Sequence, residues 1–244
     1  MAEQLRLDKL LADTGLWSRK EARDLIRRGQ VTVDGAVVKQ PEAKVDPAQS
    51  SLTAAGQPVV WQKYTYVMLN KPAGVLTATE DRRQPTVLDL LPPELRRKQL
   101  RPVGRLDKDT EGLLLLTDDG ALAHRLLAPR SHVDKVYFAE TEGTVDDGDI
   151  AAFAAGMTLE DGLVCQSAGL ERLGPEQCLV TLREGKFHQV KRMMAACGKP
   201  VRYLKRLSMG PLALDEVLEP GAWRFLTEAE IHALRKEMVP HFQK

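Results

Sequence analysis

Residues 104–120 read GRLDKDTEGLLLLTDDG. A charged, glycine-punctuated loop passes directly into LLLLT, a short and fully apolar run that reads as a buried strand. The pair Asp118-Asp119 then ends the strand, and either residue suits a helix start, where negative charge is favoured. Asp107 therefore sits in a tight loop just ahead of a core strand. Gly104 and Gly112 permit close backbone approach there, and Arg105 and Lys108 flank the carboxylate with positive charge. A carboxylate beside a cleft serves as nucleophile, base or metal ligand. The residues alone leave a second reading open, in which Asp107 and Asp109 are turn formers, the commoner role of Asp in loops.

Downstream, DDGALAHRLLAP reads as a turn and a helix, KVYFAETEG as a strand and IAAFAAGM as a short helix. QCLVTLREG is strand-like, and FHQVKRMMAACG is a helix closed by Gly198. Strand-like segments follow, up to the polar tail helix TEAEIHALRKEM. Upstream, YVMLN is a strand ended by the breaker KPAG. The irregular, hairpin-rich alternation predicts an α+β fold, not a doubly wound parallel sheet.

Residues 5–28 have helical spacing broken at Gly15. Ser18 and Glu21 form a capping-box pair, so two short helices are expected near 6–13 and 19–28. QVTVDGAVV then changes period, and Asp34-Gly35 signals a hairpin because both turn positions need positive φ. Further strands in SLTAAGQPVV complete a first domain, 1–61, and a second runs 62–244. Arg19, Arg23 and Arg27 recur at four-residue steps on one helix face, with Lys20 and Arg28 beside it. The stripe suits a row of phosphates. A solvated face paired to Glu21 and Asp24 is the other reading.

The net charge of the 244 residues is only +1, so the sum announces no polyanionic partner. The distribution says more. From Gly185 to Leu214 there is no acid, yet Lys186, Lys191, Arg192, Lys199, Arg202, Lys205 and Arg206 fall there. Three scattered cysteines without a C-x-x-C pair argue against a disulfide framework or a zinc site. No apolar run approaches the roughly 20 residues of a membrane span, and the first residues are too charged for a signal peptide. A soluble cytoplasmic protein is expected, with no membrane partner.

Two resemblances sharpen this reading. RLDKLLADTGLWSRKEARDLIRRGQVTVDGAVV resembles an S4 RNA-binding domain, which specifies RNA without specifying chemistry. GRLDKDTEGLLLLTDDG resembles the active-site motif of pseudouridine synthases of the small-subunit rRNA type. MLNKPAGVLTA is similar to the segment that packs under the site in that family, KVYFAE to its K-x-Y strand, and LREGKFHQVKRMMAACG to its H-Q-V-K-R-M motif. The resemblance implies a small N-terminal S4 domain before a catalytic domain with a mixed, mainly antiparallel sheet flanked by helices. It implies Asp107 as catalytic, Tyr137 against the target base and Lys191 paired to Asp107, with Arg192 the substitute if Lys191 points away. Arg105 would fill the vacated base stack or grip its phosphate. Lys186 and Arg192 join the first-domain cations as RNA contacts, and His188 and Gln189 are core or RNA-contacting. The isomerisation gains no group and changes no oxidation state, so no cofactor or metal is expected. The expected partner is ribosomal RNA, 16S in a partly assembled small subunit, met by a monomer. Alternatives are the same chemistry on 23S rRNA, a non-catalytic assembly factor, and a metal hydrolase using Asp107 and Asp109.

Overall fold

The computed structural model describes residues 4–128 and 133–236. They form two compact units, one comprising the chain up to Thr65 with Leu91–Leu100, the other Tyr66–Leu90 with the chain from Arg101 onward. The expected domains, 1–61 and 62–244, differ from this division mainly in the excursion at 91–100, which belongs with the first unit. Gly15 makes that excursion possible. Its φ is +81°, and a side chain would place Cβ 2.2 Å from the carbonyl oxygen of Glu94. Arg97 donates to the carbonyls of Gly15 and Leu16 at 3.4 and 3.2 Å.

The first unit holds β1 (Leu5–Arg6), α1 (Leu7–Asp13), α2 (Arg19–Arg27), β2 (Val31–Val33), β3 (Ala36–Val37), β4 (Lys44–Val45), β5 (Leu52–Ala54), β6 (Gln57–Pro58) and α3 (Pro93–Arg96). The Ser18–Glu21 capping box starts α2: Ser18 Oγ accepts from Glu21 N at 3.2 Å, and the Glu21 carboxylate accepts from Ser18 N at 2.7 Å. Asp34 and Gly35, at φ 51° and 81°, close the β2–β3 hairpin. Leu7, Leu10 and Leu11 pack on Ala22 and Ile26 and on Val31, Leu52 and Ala54 of the sheet β3-β2-β5-β6. Each fully buried leucine contributes about 1.5–3 kcal/mol.

The second unit continues with β7 (Tyr66–Lys71), β8 (Arg101–Pro102), β9 (Glu111–Thr117), α4 (Gly120–Leu127), β10 (Lys135–Thr141), α5 (Asp147–Ala155), β11 (Met157–Thr158), β12 (Val164–Cys165), β13 (Gly169–Gly174), β14 (Gln177–Leu182), α6 (Gln189–Ala196), β15 (Val201–Met209), β16 (Leu212–Ala213), β17 (Trp223–Phe225) and α7 (Glu228–Lys236). Pro129 of the expected helix segment, and Glu237 and Met238 of the expected tail helix, lie outside the described residues. The main sheet runs β13-β14-β10-β15-β9-β7-β17, with β16 on β15 and β8 on β9. Among the described strands of this sheet only β9 and β15 pair in parallel, so the sheet is mixed and mainly antiparallel. Leu113 to Leu116 are fully buried, as a central strand covered on both faces requires. Asp119 caps α4 by accepting from Leu122 N at 2.9 Å and accepts from the Tyr66 hydroxyl at 2.7 Å. No described helix is long and apolar enough to cross a membrane.

One transverse row of this sheet positions the site. Val180, Tyr137, Arg206, Gly112 and Lys71 are successive partners across β14, β10, β15, β9 and β7. Partners in register present their side chains to one face.

Candidate active site

Asp107 lies between β8 and β9 in a loop whose backbone is held from both sides. The Thr77 hydroxyl donates to the Leu106 carbonyl at 2.8 Å and accepts from Leu106 N at 3.2 Å. Beyond Asp107, fully buried Lys71 donates to the carbonyls of Pro72, Lys108 and Thr110 at 3.0, 3.1 and 2.9 Å. Three ammonium protons meet three acceptors. Burial pulls Lys71 down to about 8, against the opposing charges of Asp109, Glu111 and Asp107. The NKPAG segment thus acts on the loop through one side chain and through Gly74 N, which donates to the Lys108 carbonyl at 2.8 Å.

The Asp107 carboxylate, a quarter exposed, opens between two groups from the start of α6. His188 Nε2 lies 3.4 Å from Oδ1, and Lys191 Nζ lies 3.6 Å from Oδ2. Lys191 therefore points toward the site, but its hydrogen bond goes to Asp109 Oδ1 at 2.5 Å. That bond holds the Asp109 carboxyl below its usual range. Thr110 N donates to the Asp107 carbonyl at 3.1 Å, closing a turn within which both carboxylates meet Lys191. Tyr137 is buried on β10, and Arg105 is exposed on the Asp107 loop.

The acids that the run from Gly185 to Leu214 lacks come to its cations from elsewhere in the chain. Lys186 pairs with Glu184, Arg192 with Asp161, Lys199 with Asp146 and Asp149, and Arg202 with Glu176. Arg192 is thereby turned from Asp107, and Lys191 fills the place beside it. Arg206 is core: it is 1 % exposed, its Nε donates to the Leu113 carbonyl at 2.8 Å, and one terminal nitrogen has no partner. Burial and the nearby Arg206 charge push Lys135 down.

In the first unit, sequence spacing missed Asp8. Its buried carboxylate receives Arg6 at 3.0 Å, Arg19 at 3.4 Å and Arg23 at 2.9 Å. Burial pushes the Asp8 carboxyl up, but the bonds from Arg6 and Arg23 and the charge of Arg19 outweigh it and hold the group far below its usual range. Glu21 caps its helix and does not serve the stripe. Lys20, Arg27 and Arg28 are exposed.

The chain belongs to the RNA pseudouridine synthase family, an isomerase family. Residues 65–196 match the RNA pseudouridylate synthase family and residues 5–49 match the S4 domain. It is 48 % identical over 236 residues to "Uncharacterized RNA pseudouridine synthase YtzG" of Bacillus subtilis, covering 95 % of this chain and 99 % of that one. It is 44 % identical over 233 residues to "Ribosomal small subunit pseudouridine synthase A" of Pseudomonas aeruginosa, covering 93 % and 99 % of the two chains. A solved pseudouridylate synthase superposes with a TM-score of 0.67 at 37 % identity, covering 94 % of this chain and 99 % of its own.

Proposed function

We propose that this protein converts one uridine of small-subunit (16S) rRNA to pseudouridine, with Asp107 as the catalytic carboxylate. One observation carries the reading: Asp107 faces solvent from a loop pinned at Leu106, Lys108 and Thr110, with His188 and Lys191 against its two oxygens. The reaction breaks the bond from ribose C1′ to uracil N1, turns the base and rejoins C1′ to C5. N1 gains a proton and C5 loses one. Asp107 either attacks C1′ or removes the C2′ proton. A stacked nucleotide hides the glycosidic carbon, so the uridine must flip out, at a cost of a few kcal/mol. Tyr137 supports the turning uracil, and Arg105 takes the vacated stack or its phosphate. Lys191 orients the carboxylate. Lys20, Arg27 and Arg28, together with the arginines on Asp8 and with Lys186 and Arg192, contact the RNA. The relatives named for the small ribosomal subunit support 16S rRNA as substrate. The setting is cytoplasmic, with a monomer acting on a partly assembled subunit.

The test is tritium release from 16S and 23S transcripts labelled at C5 of uridine, in chelator, with the 16S RNA both naked and carrying early-binding ribosomal proteins. Release stoichiometric with 16S is expected. Release from 23S alone overturns the substrate. No release from any form, with tight binding retained, overturns the chemistry and leaves an assembly factor.

Lys71 adds a pH dependence. Below pH 8 it is charged in the folded and unfolded chain alike. Between about 8 and its ordinary 10.5 the folded protein gives up a proton that the unfolded chain keeps, so this group's contribution to stability rises with pH. The catalytic loop responds the other way, because a neutral amine has two N–H groups for three carbonyls. Turnover is expected to fall along an alkaline limb centred near pH 8 without a parallel fall in Tm. Paired pH–rate and pH–Tm series check this, and a flat rate through that range counts against it.

A further inference from the structure

The turn at 184–189 is built more firmly than a surface turn requires. Gln189, 3 % exposed, accepts from Lys186 N at 3.0 Å and donates to the Glu184 carboxylate at 2.6 Å. Gln189 N donates to the Lys186 carbonyl at 3.2 Å, and the Glu184 carboxylate also accepts from Gln166 N at 2.9 Å. The closed turn holds His188 at φ 50° and ψ 34°, a left-handed conformation disfavoured for a residue with a Cβ. That conformation puts the imidazole 3.4 Å from Asp107. Phe187 lies flat on the imidazole, with centroids 3.8 Å apart and planes 20° apart. Its other face meets water: Phe187 is 71 % exposed. A phenyl ring so exposed adds little to the core. The imidazole it covers is the one that meets the Asp107 carboxylate.

We propose that Phe187 and His188 form a stacking platform for the nucleobase next to the isomerised uridine. The proposal rests on the isomerase reading and names the substrate contact that sets its register. The occupant is a base because the exposed ring carries neither charge nor hydrogen-bond donor for a phosphate, while every base has a π-face. The target uracil belongs to Tyr137, so Phe187 takes its neighbour. A base seated there, two rings from Asp107, fixes which ribose faces the carboxylate.

The experiment compares the parent, Phe187→Ala and Phe187→Trp on 16S and 23S transcripts. Dissociation constants are measured over a salt series, with tryptophan fluorescence and tritium release alongside. Phe187→Ala is expected to weaken RNA binding roughly tenfold. Loss of a stacked base removes no phosphate contact, so its plot of log Kd against log salt should run parallel to the parent's. Phe187→Trp should bind like the parent and show RNA-induced quenching beyond that of Trp17, Trp61 and Trp223. Parent-like binding by Phe187→Ala at every salt concentration, or no added quenching in Phe187→Trp, overturns the platform. If the parent releases no tritium from any RNA, the isomerase reading fails, and the binding and quenching results decide the platform independently.

Discussion

Asp107→Asn is expected to lower turnover by on the order of 10⁴-fold or more while RNA binding is kept or slightly strengthened. The amide matches the carboxylate in shape, so the Thr77 and Lys71 clamps on the neighbouring backbone have no reason to move. What disappears is the charge that His188 and Lys191 face at 3.4 and 3.6 Å. Neither route survives that loss, because an amide neither attacks C1′ usefully nor removes a C2′ proton. Affinity moves the other way, since one negative charge leaves the surface proposed to face the RNA backbone. Single-turnover tritium release and filter binding on the same RNA separate the two effects. Turnover within about tenfold of the parent would end the assignment of Asp107.

Gly112→Ala is expected to unfold the second unit more readily than any surface change. The added Cβ would lie 2.3 Å from the Arg206 carbonyl oxygen and 2.8 Å from its nitrogen, at φ +98°. Both obstacles are backbone atoms of the strand with which β9 makes its parallel pairing. Relief therefore requires the row Tyr137–Arg206–Gly112–Lys71 to open, and Arg206 would lose its bond to the Leu113 carbonyl. A loss of about 3–4 kcal/mol is expected, near the upper end for single substitutions. At about 2–4 °C per kcal/mol for a chain of this size, Tm should fall by roughly 10 °C. Gly35→Ala is the control: its φ is +81° but nothing lies within 4 Å of the new Cβ, so only backbone strain remains. Equal Tm losses in the two variants would show that strain alone accounts for Gly112.

Local signals were legible in the sequence where a few neighbouring residues decide the outcome. The Ser18–Glu21 box, the Asp34-Gly35 hairpin and the run Leu113–Leu116 each formed as expected. Long-range choices were not. Nothing in KDTEG says that Lys191, 82 residues from Asp109, bonds there more closely than to Asp107. Arg206 falls in a run of cations without acids, where charge favours the surface, yet the sheet buries it next to Gly112. Asp8 reads as one polar residue of an amphipathic helix until α2 brings Arg19 and Arg23 onto it. The family motifs located Lys71 without showing that its three protons hold the Asp107 loop.

The carboxylates already seated on Lys186, Arg192, Lys199 and Arg202 give the second unit an internal decoy. A polyanion that offers only charge finds those cations occupied and gains little by trading one anion for another. A ligand that also fits the contour, and so brings several contacts to bear together, is the kind that displaces them. If these cations meet RNA as proposed, such an arrangement would discriminate among RNAs before any chemistry begins. It also accounts for how a chain with a net charge of +1 could search a cell crowded with nucleic acid without adhering to all of it.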